Sequence, residues 1–126
     1  MIRVEIPYLP PSALSPNSRA HWGTKARATA QCRRDARLCA IDAVQRKVET
    51  RFTKAKLKVT IYVKDKRYIM DNDNALSMVK SFIDGCVDAA IIPDDKPAHL
   101  TIEGVEYIVS KEKAPMTVLE FQEVLR

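Results

Sequence analysis

Residues 56–89 read KLKVTIYVKDKRYIMDNDNALSMVKSFIDGCVDA, and the spacing of their apolar residues changes once along the way. Between Lys56 and Lys64 apolar residues alternate with polar ones, which is typical of a strand with one face in the core. From about Asp73 or Leu76 to Ala89 the apolar residues recur at helical spacing. The stretch therefore predicts a strand followed by an amphipathic helix. The core stripe predicted for that helix consists of Leu76, Val79, Ile83, Val87 and Ala90.

The N-terminal half contains a second strand–helix unit. Residues Ile2 to Ile6 alternate and end at Pro7, which predicts a short strand. A Pro- and Ser-rich segment up to Trp22 is expected to be a long exposed loop. From about Gly23 to Val48 a helix is predicted, with small apolar residues on one side. Arg27, Arg34 and Arg37 recur at spacings of seven and three and form a basic stripe on another side.

Two more strands are expected near the C-terminus. The first begins at Leu100, and its apolar phase shifts after Gly104, which indicates a bulge. The last covers Met116 to Val124. The resulting order, β-α-β-α-β-β, predicts an α/β (α+β) fold in which two main helices pack on a small mixed sheet. With 126 residues and 46% apolar content, residues 1–126 are expected to form a single domain.

Charge is distributed unevenly along the chain, whose formal net charge is +5. Residues 19–47 hold eight Lys or Arg against two Asp, whereas residues 94–126 hold four basic residues against seven acidic ones. This split indicates an electropositive face and a polyanionic partner; the alternative is a solvated basic helix.

Cysteines and hydropathy point to the cytoplasm. The three cysteines form no CxxC pair, so neither a disulfide framework nor a zinc knuckle is expected, and buried small hydrophobic residues are the favoured interpretation. No signal sequence opens the chain and no apolar run is long enough for a membrane span. We therefore expect a reducing, cytoplasmic setting without membrane contact.

Carboxylates flank the predicted central helix, with Asp71 and Asp73 before it and Asp94 and Asp95 after it. Such a grouping in a basic chain indicates a Mg²⁺ site in a nucleic-acid-binding surface. The EF-hand pattern fails at its fifth, sixth and twelfth positions, and two separated histidines do not make a zinc site. Three scattered glycines exclude a nucleotide-binding loop, so no nucleotide cofactor is expected. The structural alternative is a helix N-cap at Asp71 or Asp73 and a polar turn at Asp94–Asp95.

The string from Asp71 to Asp95 resembles the signature of the RusA family of Holliday junction resolvases. It has D-x-D-N, a helical lysine, D-G and D-D in order, with the longer spacing common in phage and prophage members. Residues Asn17 to Trp22 are similar to the family's N-x-x-x-x-W region. The resemblance implies a bacterial or phage-encoded homodimer that resolves four-way DNA junctions in recombination and repair, by paired nicks that need Mg²⁺ or Mn²⁺.

The resemblance also implies roles for single residues. Asp71, Asp73 and Asp95 would be the essential metal-binding acids, Asp94 an auxiliary one and Lys80 the catalytic lysine. Lys80 lies seven residues after Asp73, where the shorter family pattern has four, which adds about 4.5 Å along a helix. It would reach a metal site at Asp73 if the helix began late, near Leu76, or if its side chain extended backwards. The alternative is a surface ion pair with Asp84.

Phosphodiester hydrolysis fits these residues, since metal-held carboxylates activate water and a lysine stabilises developing charge. Basic side chains would hold backbone phosphates, while Trp22 would stack on bases or, alternatively, anchor in the core. The residues expected to contact DNA are Asn17, Arg19, Trp22, Lys25, Arg27, Arg33, Arg34, Arg37, Lys56 and Lys58. The alternative function is a non-catalytic phage DNA-binding protein whose acids are structural.

Overall fold

Both predicted strand–helix units are present in the structure, a computed structural model that describes residues 1–45 and 51–125. Short 3₁₀ turns at Ser12–Leu14 and Lys66–Tyr68 lie in the loops that precede the helices. The main elements are β1 (Ile2–Ile6), α1 (Trp22–Gln45), β2 (Ala55–Val63), α2 (Asn72–Asp88), β3 (Leu100–Val109) and β4 (Met116–Glu123).

The four strands form one mixed sheet in the order β1-β4-β2-β3. β4 pairs antiparallel with both β1 and β2, whereas β2 and β3 are parallel. Parallel neighbours need a crossover connection, and α2 supplies it. The fold class and the element order predicted from the sequence are confirmed.

The helices cover one face of the sheet. Apolar residues of β2, among them Leu57, Val59 and Ile61, share a single core with Cys32 of α1 and Phe82 of α2. Because side chains alternate along a strand, the lysines between these residues point to the opposite, outer face. The strand–helix layers therefore give the domain two chemically different sides.

The outer face of the sheet carries charges of both signs. Arg3 donates to Glu5 at 2.8 Å and to Glu120 at 3.2 Å, and Lys58 lies 3.3 Å from Glu106. β2 presents lysines on this face, as the alternation of its residues predicted. The neighbouring strands contribute the carboxylates. Ion pairs between neighbouring strands therefore offset part of the positive charge on this face.

The predicted bulge lies in β3. Its pairing with β2 shifts between Leu57 and Lys58, so that Glu103 is skipped, and Gly104 has φ +125°. Glycine suits this position because side-chain-bearing residues rarely adopt that conformation. The backbone N–H of Val105 donates to the Asn72 side-chain oxygen at 3.0 Å. The bulge thus ties β3 to the first turn of α2.

The two helices approach closely at Gly85. A Cβ there would lie 2.3 Å from the Arg33 carbonyl oxygen and 2.7 Å from the Ala36 Cβ, so only glycine allows this crossing. Three residues further along α2, Asp88 accepts two hydrogen bonds from the Arg33 guanidinium, at 2.6 and 2.8 Å. Packing and an ion pair together fix α1 on α2.

Three sequence expectations need correction. The buried face of α2 is broader than predicted, since α2 packs on both α1 and the sheet; Ala75 and Cys86 are buried, Leu76 and Val87 are only half-buried, and Ala90 is exposed beyond the helix end. α1 begins at Trp22, one residue early, and its predicted end at residue 48 lies outside the described residues.

The N-terminal loop is the third correction, because it is not fully exposed. Tyr8, Leu9 and Leu14 pack against the core, and the Tyr8 hydroxyl donates to Asp35 at 2.7 Å. The apolar residues of the loop thus extend the core that the sheet begins.

Cys32 and Cys86 are buried and Cys39 is half-buried, and burial raises the pKa of all three thiols. They fill space as small hydrophobic residues, as the sequence predicted. Within residues 1–45 and 51–125, neither helix has both the length and the apolar character that crossing a bilayer requires.

Candidate active site

The first carboxylates of the motif lie at the N-terminal end of α2. Asp71 is the N-cap, and its two carboxylate oxygens accept from the backbone N–H of Asn74 at 2.9 Å and from the Asn74 side-chain nitrogen at 3.0 Å. Asp73 follows in the first turn, and both acids are exposed. A carboxylate has about four acceptor positions, so the cap leaves Asp71 able to accept more donors or a cation.

A reversal of the chain after α2 brings the second pair of carboxylates back along the helix. Ala90 has φ +63°, its N–H donates to Val87 at 2.8 Å, and the Ile91 N–H donates to Cys86 at 3.2 Å. This left-handed residue ends the helix in the usual way, although glycine is the common choice there. Ile91 and Ile92 are then buried, which holds the returning segment against the domain.

Lys80, midway along α2, contacts the returning segment. Its Nζ donates to Asp84 at 2.6 Å, one turn along the helix, and also to Asp95. Burial alone would lower the pKa of Lys80, but the hydrogen bonds to Asp84 and Asp95 outweigh that effect and the pKa is raised. The same contact with Lys80 lowers the pKa of Asp95. Lysine and carboxylate are therefore both held in their charged forms.

Asp94 supports this arrangement from the neighbouring position. One of its carboxylate oxygens accepts from the backbone N–H of Asp95 at 2.7 Å, and the other lies 3.7 Å from the Lys96 ammonium. Asp94 thus shapes the turn in which Asp95 is presented.

The motif is divided into two groups within one chain. The helix begins at Asn72 and not near Leu76, so the late start considered from the spacing is wrong. Seven residues of helix put about 10 Å of axial rise between Asp73 and Lys80. Lys80 is therefore grouped with Asp95, and the pair Asp71 and Asp73 stands apart.

Oxygen ligands at Asp71 and Asp73 suit Mg²⁺, which proteins often hold through one or two carboxylates while waters and substrate phosphates complete its shell. Over residues 1–45 and 51–125 of a single chain, no three His, Cys, Asp or Glu side chains are grouped so that they could hold a metal ion. Donor chemistry thus fits a magnesium ion at the start of α2, but one chain does not gather all four predicted acids.

Exposed aromatic and basic residues stand at the start of α1. Trp22 is 75% exposed, and its ring lies 5.4 Å from the ring of His21. The alternative of a core anchor is therefore wrong for Trp22. Asn17 and Arg19 are exposed in the preceding loop, and the Lys25 ammonium donates to the Ser18 carbonyl at 2.9 Å.

The remaining residues expected to contact DNA lie on opposite sides of the domain. Arg27, Arg34 and Arg37 are exposed on α1, and Arg33 of the same helix is engaged with Asp88. Lys56 and Lys58 are exposed on the outer face of the sheet. A single straight duplex cannot contact both faces.

Sequence reasoning missed Asn72 as a site residue. Its side chain anchors the first turn of α2 to the bulge of β3 and so positions the neighbouring Asp71 and Asp73. The sequence offered two separate signals, a polar residue at the start of α2 and Gly104 at the change in the apolar pattern of β3. They lie far apart in sequence, so their contact could not be inferred. The Arg33–Asp88 pair was missed for the same reason.

Comparison with known families and with curated proteins yields no match to this chain.

Proposed function

We propose that this protein is a metal-dependent endonuclease that resolves four-way DNA junctions by paired nicking and acts as a homodimer. The observation that carries the proposal is the contact between Lys80 and Asp95. These two residues belong to distant parts of the motif, and the fold brings them together although the lysine is displaced from the shorter spacing. Surface charges without a shared role would have no reason to lie in contact as Lys80 and Asp95 do.

The chemistry assigned to each group follows from its charge and position. Asp71 and Asp73 would hold the metal, which, when bound, supplies an activated water and polarises the phosphate. Lys80 is held protonated and carries three N–H donors, two of which point to carboxylates. Its third donor stabilises negative charge that develops on phosphate oxygens.

DNA would be held by the helical layer. Exposed arginines of α1 contact backbone phosphates, which positions the substrate without reading its sequence. Trp22 and His21 offer ring faces on which an unpaired base at a junction centre stacks. The mixed charges on the outer sheet face make that side a weaker partner for a polyanion.

A dimer could bring the two groups of the motif together. In one chain Asp71 and Asp73 stand apart from Lys80 and Asp95, so a complete site needs the first group of one protomer and the second group of its partner. A two-fold dimer forms two such sites at once, as symmetric incision of two strands requires.

The test is incubation of the purified protein with a labelled four-way junction and with linear duplex of the same sequence, in Mg²⁺ and in EDTA. We expect symmetric nicks in the junction only, and only with Mg²⁺. Equal cleavage of the duplex would remove the junction selectivity, and no cleavage of either substrate would remove the nuclease function.

The second candidate is a non-catalytic DNA-binding protein. It is favoured by the structural partners that the acids already have, since Asp71 caps α2 and Asp95 is paired with Lys80. This protein would bind the junction equally well in Mg²⁺ and in EDTA and leave it intact.

A further inference from the structure

An open cavity of about 290 Å³ lies between the N-terminal loop, α1 and α2. The 3₁₀ turn Ser12–Leu14 closes one side of it. Its polar lining consists of Ser15, Lys25, Thr29, Ser77, Lys80, Ser81 and Asp84. The α2 residues among them recur at helical spacing on one side, and Asp73 stands one turn before Ser77 on that same side. The cavity is thus lined by Lys80 of the motif, on the side of α2 that also carries Asp73.

The lining offers more hydrogen-bond donors than its own residues use. An ammonium has three N–H donors, and Lys25 directs one of them to the Ser18 carbonyl at 2.9 Å. Lys80 directs two to Asp84 and Asp95, so one remains. Four hydroxyls, on Ser15, Thr29, Ser77 and Ser81, can rotate their hydrogens toward an acceptor that enters.

The charges of the lining residues indicate which kind of ligand the cavity can bind. The charge of Lys80 is offset by Asp84 and Asp95, whereas the contact of the Lys25 ammonium is with a backbone carbonyl, which does not neutralise it. An anion is attracted by the Lys25 ammonium and can accept from the donors that remain. A tetrahedral anion with several acceptor oxygens matches both the charge and the donors.

We propose that this cavity binds one phosphate group through Lys25, Thr29, Ser77 and the third donor of Lys80. The assignment of this phosphate to DNA rests on the proposed function. In that case the cavity holds a phosphate group of the DNA backbone next to the bond that is cut. Lys25 is a positioning residue in this scheme, since it holds the strand in register with Lys80.

The test is an NMR titration of the full chain with inorganic phosphate, at constant ionic strength against chloride, with EDTA present. The backbone amides of Thr29, Ser77 and Ser81 report on the cavity. We expect saturable shifts in the wild type and in Lys111→Met, a control with the same loss of charge on an exposed residue outside the cavity. Lys25→Met should lose about tenfold or more in phosphate affinity, and Thr29→Val about two- to tenfold.

Thr29→Val keeps the test decisive if Lys25→Met does not fold, because valine has nearly the shape of threonine. A wild type without saturable shifts would overturn the proposal, as would variants that bind phosphate like the wild type. A second titration uses a short single-stranded oligonucleotide without terminal phosphates. Shifts of the same amides assign the site to backbone phosphates, whereas a response to inorganic phosphate alone overturns that assignment.

The outcome does not depend on cleavage. A wild type that binds phosphate but nicks no junction would refute the proposed function and leave the cavity as a phosphate site. A wild type that nicks junctions while phosphate leaves the cavity amides unmoved would refute this inference alone.

Discussion

At the scale of single residues, Arg33 and Asp88 join the two helices through a pair of parallel hydrogen bonds, at 2.6 and 2.8 Å. The hydrogen bonds from Arg33 lower the pKa of the Asp88 carboxyl below its ordinary value of 3.8. Because the folded pKa is the lower one, the pair stabilises the fold above the ordinary carboxyl pKa. That contribution is lost as the pH falls through the folded value.

We predict that Arg33→Met raises the pKa of Asp88 toward 3.8 and flattens the acid-side fall in stability. A carboxyl ¹³C NMR titration measures the pKa, and urea unfolding at several pH values measures the stability. Asp95, whose pKa is lowered by Lys80, serves as the internal control and should not move. An unchanged Asp88 titration would show that the ion pair is absent in solution.

A second residue-scale prediction concerns Lys80. Lys80→Met removes the ammonium but keeps much of the aliphatic stem, so junction nicking should fall by about 100-fold, the scale of losing one electrostatic group in a site. Junction affinity should change by less than tenfold. Lys111→Met removes the same charge from an exposed residue away from the motif and should nick normally. Wild-type nicking by Lys80→Met would remove lysine from the proposed chemistry.

At the scale of elements, the crossing of α1 and α2 depends on Gly85. Gly85→Ala would force a methyl group to within 2.3 Å of a backbone carbonyl oxygen, so the helices must separate. We predict a loss of about 1–3 kcal/mol in the free energy of unfolding, as overpacking typically costs. Urea denaturation measures it.

Gly23→Ala is the matched control, because there the nearest atom, at 3.2 Å, belongs to the movable His21 side chain. Its effect should stay within about 1 kcal/mol, since alanine favours helix. If the two variants proved equally stable, the close crossing of the helices would not exist in solution.

The elements were predictable from sequence to the extent that their signals are local. Period-two alternation marked β2, and the phase change at Gly104 marked the bulge that the register of β2 and β3 confirms. The contact of Lys80 with Asp95 was not predictable, because it depends on a reversal at Ala90, an alanine in a conformation that glycine usually signals. The breadth of the buried face of α2 also depends on its contact with α1, which helical periodicity alone does not reveal.

The exposed arginines of α1 and the lysines of β2 allow the DNA-binding face to be identified. We predict that Arg27→Ala with Arg34→Ala weakens binding to every DNA and lowers the salt slope by about 0.9 per lost phosphate contact. The matched pair Lys56→Ala with Lys58→Ala removes the same charge from the outer sheet face. It should have the smaller effect, since Lys58 already has Glu106 as a partner at 3.3 Å. Fluorescence anisotropy at several salt concentrations measures both; a larger effect of the lysine pair would place DNA on the sheet.

At the scale of the whole molecule, the domain has a helical side with exposed arginines and an exposed tryptophan and a sheet side with paired charges. The divided motif lies on α2 and on the segment that returns along it. In the proposed dimer, one protomer would supply Asp71 and Asp73, and its partner would supply Asp95 and Lys80. A dimer of two different variants can reveal such a shared site.

Asp73→Asn and Asp95→Asn should each lower nicking by about 100-fold as homodimers while DNA binding persists. In a heterodimer of the two, one site carries both substitutions and the other carries neither, so one strand of the junction should again be nicked. A site formed within one chain would instead leave both sites defective. Glu112→Gln, an exposed residue outside the motif, is the control and should nick normally.

The most direct measurement is therefore the rate of four-way-junction nicking in Mg²⁺ by the two homodimers and by the heterodimer, co-expressed with different tags and purified. We predict two inactive homodimers and a heterodimer that cuts one strand. An inactive heterodimer would contradict a site shared between protomers. Homodimers of Asp73→Asn and Asp95→Asn that both nick at the wild-type rate would contradict the nuclease itself.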